Sequence, residues 1–381
     1  MTTTETTSTS WFSRIGNSFK NIIIGFIFII GSIILLFWNE GRAVKTEQSL
    51  TEGLSVVTSI SSDNRESANE GKLIHFSGLA KVPQITTDEA FGVNGSALKM
   101  RRIVEVYQWK EESKSKTTEK LGGGTDTTTT YSYVKDWSDN IIKSSGFKEA
   151  EQHQNPTSKL FENEEWIAPD VTIGAYSIPK HILAKLSGYR SFVATQDMLT
   201  LQTASLPAQL QLVGGVLYFQ TKDPTVPEIG NTRIKYEIIS PQDVSVIYKQ
   251  SGDSLVPYQT KNGESISMIQ LGKSTAQEMF QNAQESNKTT TWVLRVVGVI
   301  AMFIGFQLIM GVLPVLGSVV PLIGSIVGAG VGLVSFFLTL AVSSVTIAIA
   351  WIAYRPIVGI TLIAIAVGSY VFLMKKSKKI E

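Results

Sequence analysis

The chain reads as an α+β membrane protein, with four transmembrane helices and a large β-rich extracytoplasmic domain inserted between the first and second spans. Three observations predict this fold class. Residues 21–39 and residues 296–354 carry no charged side chain, and the long stretch between them is polar and strand-patterned. Charged residues are 17% of the whole, against about 25% in soluble domains, and the deficit lies in the apolar runs. Net charge is +2, which supplies no field for nucleic acid. The chain has no cysteine, which excludes disulfides, thiolate nucleophiles and Cys-ligated metals.

Residues 1–20 read as a disordered Thr/Ser tail and a short interfacial helix. Trp11, Phe12, Ile15 and Phe19 recur at helical spacing, with Ser13, Arg14, Asn17 and Lys20 opposite. Residues 21–38 are the first span, about the minimum for crossing the hydrocarbon. A cleaved signal peptide is a poorer reading, because no small-residue cleavage site follows. Trp38 gives way at once to Asn39, Glu40 and Arg42, as in a helix leaving the hydrocarbon for the headgroups.

Residues 39–291 form the extracytoplasmic β-rich domain. Strands are expected at 73–82, 99–109, 131–137, 171–176, 210–219, 232–239 and 244–249. Within 99–109, Ile103, Tyr107 and Trp109 share a face, and the adjacent Arg101 and Arg102 put one charge on each face. Residues 111–130 are low-complexity and polar, so a long mobile loop is expected. Asn262 and Gly263 signal a hairpin. Residues 179–186 form a helix with Ile182, Leu183 and Leu186 inward. A capping box at Ser274–Gln277 opens a helix to about Asn287, aimed at Trp292.

Residues 292–374 hold the second, third and fourth spans, with a Pro/Gly-rich connection around 314–321 that is open to a re-entrant reading. Arg355 and Pro356 force a turn before the fourth span at 357–374. Four spans put both termini on one side. Arg14, Lys20 and the basic tail 375–381 make that side cytoplasmic, whereas five spans would place the lysines outside. Gly324, Gly328 and Gly332 repeat every four residues. Such a stripe lets backbones approach closely, either in an internal seam or between copies.

Several stretches are similar to the transmembrane protein 43 family, also called LUMA: FWNEGRAVKT (37–46), MRRIVEVYQW (100–109), TYSYVKDW (130–137), HQNP (153–156), GDSLVPYQTKNG (252–263) and YRP (354–356). The resemblance implies four spans and a large extracytoplasmic or luminal domain between the first two. In animals it implies oligomeric scaffolds of the endoplasmic reticulum and inner nuclear membrane. The cysteine-free composition and short loops suggest a bacterial member of the plasma (inner) membrane. The expected function is a multi-pass scaffold or interaction protein, homo-oligomeric, with the bilayer and other membrane proteins as partners. The alternative is a lipid- or peptide-sensing component of stress or defence signalling.

No catalytic, cofactor or metal site is expected. His75, His153 and His181 lack ligand spacing, and no HExxH, GxSxG or phosphate loop occurs. The acidic run 162–165 is read as a solvated surface rather than a cation site. A hydrolase would need His153, His181 and acidic side chains within hydrogen-bonding reach. The residues singled out instead are charges at the membrane boundary. Glu40, Arg42, Arg295 and Arg355 share a thin layer, and Glu40 is expected to pair with Arg355 or Arg295 and clamp the first span to the others. Snorkelling of each charge into the headgroups is the competing reading.

Overall fold

The computed structural model describes residues 2–199, 210–357 and 361. The chain divides into two compact units, one of residues 1–4, 52–114 and 130–280, the other of residues 5–51, 115–129 and 281–381.

The first unit is built on two sheets. In strand Lys99–Glu119, Met100, Val104 and Val106 are buried while Arg101, Ile103, Glu105 and Tyr107 are half-exposed, the period-two alternation of a pleated strand. It pairs antiparallel with Thr232–Ile239, which sets Arg101 opposite Glu237 and Glu105 opposite Arg233. Both pairs are ion-paired. The two arginines take opposite faces as expected; Arg102 lies on the core face, where its charge is balanced by Asp88 at 2.6 Å and Glu164 at 2.9 Å. The Tyr236 hydroxyl donates to the same Asp88 at 2.7 Å. Burial, then the Asp88 charge, pushes that hydroxyl's pKa upward, so it remains a donor. Phe91, Val93, Leu217 and Phe219 fill the core beside this network.

The second sheet centres on Leu73–Lys81, antiparallel to Asp243–Ser251, with Met268–Leu271 on the far side of the latter. Ile74, Phe76, Val246 and Tyr248 are buried against Ile182, Leu183 and Leu186, the three residues expected to face inward from the helix now seen at Lys180–Leu183. The hairpin at Asn262 and Gly263 joins Tyr258–Gln259 to Ser265–Ile266. Gly263 takes φ +87° there, a conformation that costs glycine little.

Among the described residues three helices are long and apolar enough to cross a bilayer, and their apolar stretches belong to the second unit. The first is Trp11–Val56, the second Ala276–Met310 and the third Pro321–Tyr354. The expected fourth span and basic tail fall almost wholly outside the described residues. The first two helices run antiparallel and pack at glycines. A Cβ on Gly25 would stand 2.6 Å from the Gly305 carbonyl oxygen, and one on Gly298 2.7 Å from a Leu36 methyl. Close backbone approach of this kind gives membrane helices their packing energy.

Several expectations change. Residues 2–9, expected to be disordered, form strand Thr2–Thr9. The interfacial helix is not separate, because residues 11–20 continue into the span without a break. Nor does the first helix stop at Trp38. It runs to Val56, its later apolar positions Ala43, Val44 and Leu50 being buried. The mobile loop at 111–130 is instead an ordered hairpin of strands Lys99–Glu119 and Thr125–Ser138. Its hydroxyls bond across the pair, Thr117 to Thr127 and Ser115 to Thr129, each at 2.9 Å. The low complexity was β-branched repetition, which favours strand. The capping box sits one residue later, with Glu278 N–H on Thr275 Oγ1 and Thr275 N–H on Glu278 Oε2. The connection at 314–321 contains a short helix, Val312–Gly317.

Candidate functional site

Glu40 lies on the first long helix, one turn beyond Phe37, and its side chain is 2% exposed. A carboxylate so buried must be fully hydrogen-bonded or give up its charge. Arg295 from the second helix grips it with a two-pronged bond, Nε to Oε1 at 2.6 Å and Nη2 to Oε2 at 2.8 Å. The Trp351 indole of the third helix donates to Oε2 at 2.9 Å. One carboxylate thus ties all three helices together. The Arg295 guanidinium also lies 4.9 Å from the Trp292 ring centroid and 5.9 Å from that of Trp351, where aromatic faces attract a cation.

Below this clamp the first and second helices share a polar seam. Asn39 is fully buried and donates to the Thr291 carbonyl at 3.0 Å. Arg42 donates to Asn287 Oδ1 and Thr291 Oγ1, both at 2.9 Å. Asn287 Nδ2 returns a bond to the Ala43 carbonyl. On the third helix, Tyr354 packs on Phe37 with ring centroids 5.3 Å apart and covers Gly41.

With this geometry established, comparison with known proteins assigns the chain. The profile of the family described as Transmembrane protein 43 matches residues 106–356. Transmembrane protein 43 of mouse is 32% identical over 356 residues, covering 90% of this chain and 87% of that protein. The human protein is 32% identical over 373 residues, covering 93% and 91%. The Drosophila melanogaster transmembrane protein 43 homolog is 29% identical over 365 residues, covering 93% and 94%. The chain belongs to the transmembrane protein 43 family. No solved structure matches it.

In this family member the four boundary charges separate into different roles. Glu40 and Arg295 are paired, whereas Arg355 bonds to Glu47 and Arg42 to the polar seam. Arg355 and Glu47 are 40% and 50% exposed. The three stripe glycines also differ. A Cβ on Gly324 would meet Ser318 Cα at 2.8 Å, but on Gly328 and Gly332 the nearest atoms are 3.8 and 3.7 Å away. Gly324 is therefore tightly packed within this chain, while the other two have room for a methyl.

Sequence reasoning did not single out Trp351, Asn39, Asn287, Thr291 or Glu47. Asn287, Thr291 and Arg295 recur every four residues, so they form one stripe of a helix, and that spacing was the available signal. Elsewhere each histidine has its own surroundings. His75 bonds to Ser59 and the Ser274 carbonyl, His153 stacks on Tyr133, and His181 is exposed on a short helix. The acidic run 162–165 meets strand residues, Glu164 pairing with Arg102 and Glu165 with Lys99. Among the described residues no group of three His, Cys, Asp or Glu could hold a metal.

Proposed function

We propose that this family member is a multi-pass membrane scaffold or interaction protein that works as a homo-oligomer. Its Arg14 side and the tail 375–381 face the cytoplasm, and most of the segment between the first two helices is extracytoplasmic. The observation carrying this reading is the polar hairpin tip at 115–129. Arg14 donates to Glu119 at 2.8 Å and to the Gly123 carbonyl, and Gly122 N–H bonds to the Val319 carbonyl. Arg14 and Glu40 lie at opposite ends of the first helix's apolar run, about 39 Å apart at 1.5 Å per residue. The inserted segment leaves that helix beyond Glu40, yet its tip is bonded to Arg14.

A ribbon of Thr, Ser, Lys and Glu reaching that far passes the depth of the apolar helices. Such side chains, together with an open strand edge, cannot face hydrocarbon. Thr2–Thr9 lies at the end of its sheet, with Ser8 and Thr6 bonded to Asp126 and Thr128. Copies laid ribbon to ribbon would cover the polar faces and pair that edge. Oxidative cross-linking in native membranes tests this. Thr7→Cys and Lys116→Cys chains, co-expressed in this cysteine-free background, should join as a dimer. Chains that remain uncross-linked at every ribbon position would remove the basis for the oligomer.

A further inference from the structure

We infer that the cleft beside the Glu40 clamp binds the phosphodiester headgroup of an anionic glycerophospholipid. The cleft has a volume of about 270 Å³ and is lined by Lys288, Arg295, Arg355, Asn287, Trp292 and Glu47 among others. Three features point to this ligand class. The first is depth: Trp292 is 64% exposed, and with Trp38 it marks the layer where indoles sit among headgroups. The second is donor chemistry. The lining offers an exposed ammonium at Lys288 and the Arg355 fork, and guanidinium forks match phosphate oxygens. The third is charge. Lys288, Arg295 and Arg355 outnumber Glu40 and Glu47 in the lining, while Arg42 stands behind the wall, bonded to Asn287.

The two ion pairs at the cleft behave differently. Glu40–Arg295 is buried and bidentate, so it remains in place as the wall. Arg355–Glu47 joins two half-exposed groups, and exposed pairs are weak and exchangeable. An arriving phosphodiester therefore takes Arg355 from Glu47, and Lys288 completes the site. A second cleft of about 540 Å³ shares Glu47 and Arg355 and adds Val44, Tyr354 and Ile357. It gives the glycerol and upper acyl carbons an apolar wall next to the head. This inference rests on the membrane reading alone and does not depend on the oligomer.

The test uses the full chain, delipidated in detergent and titrated with phosphatidylglycerol, phosphatidylcholine or inorganic phosphate, with adducts counted by native mass spectrometry. Phosphatidylglycerol should saturate at one per chain. Lys288→Ala and Arg355→Gln should each weaken it by about fivefold, and Glu47→Gln, which frees Arg355, should strengthen it. Both clamp partners are left intact, so the fold is kept. Equal retention of phosphatidylcholine would overturn the proposal, as would binding of inorganic phosphate alone or an affinity indifferent to Lys288, Arg355 and Glu47.

Discussion

Glu40 carries the largest single-residue consequence. Removing one member of a buried, hydrogen-bonded pair leaves an uncompensated charge, at a cost of about 3–5 kcal/mol. Glu40→Gln and Arg295→Gln should therefore each destabilise strongly, and the double variant should lose far less than their sum. Glu47→Gln and Arg355→Gln should each cost under about 1 kcal/mol. A thermal-melting cycle in detergent checks both pairs, and additive losses at Glu40 and Arg295 would show that they are uncoupled. His75 gives a pH prediction. Burial lowers its pKa and the Ser274 carbonyl only partly offsets this, so the folded state prefers the neutral ring. The unfolded chain gains the proton first, so this contribution is present above about pH 6.5 and is lost as pH falls below it. His75→Gln, which keeps a donor for Ser274, should lose less stability between pH 7 and pH 5 than the parent. Equal losses would mean that His75 does not set the acid limit.

At the level of elements, the tight glycines are not mainly those that periodicity picks out. Gly25→Ala or Gly305→Ala drives a methyl into the facing backbone and should cost about 1–3 kcal/mol by overpacking. Gly328→Ala meets nothing closer than 3.8 Å and should be near neutral, which melting of the three variants would show. Glycine repeats reveal a permissive helix face, but which glycine meets a backbone depends on the partner helix, and the single glycines at 25 and 305 gave no repeat. The same limit applies elsewhere. Alternation made strand Lys99–Glu119 legible, and charge-free runs made the first three long helices legible. The hairpin at 115–129 was hidden because threonine, serine and lysine repeats look like loop until a partner strand pairs with them. Shared depth marked Arg295 and Arg355 alike as partners for Glu40, and the helix packing selects Arg295. Trp351 could not be read this way, since its donor role depends on how the third helix is rotated.

In the proposed reading, the polar ribbon and the apolar helices set incompatible demands on a lone chain in a bilayer. Helix faces such as those bearing Ile27, Ile34, Ile326 and Phe337 are exposed and suit lipid, but the hairpin beside Arg14 does not. Leu121 at the hairpin tip is 86% exposed. In sealed vesicles Leu121→Cys should react with an impermeant reagent from the same side as Ser377→Cys, and Gln84→Cys from the opposite side. Leu121 and Gln84 reacting from one side would show that the hairpin does not pass the depth of the helices. Native mass spectrometry of the full chain released from mild detergent tests the proposed self-association. A discrete closed homo-oligomer is the expected species. Folded monomers alone, at concentrations where the helices and both sheets stay intact, would contradict it.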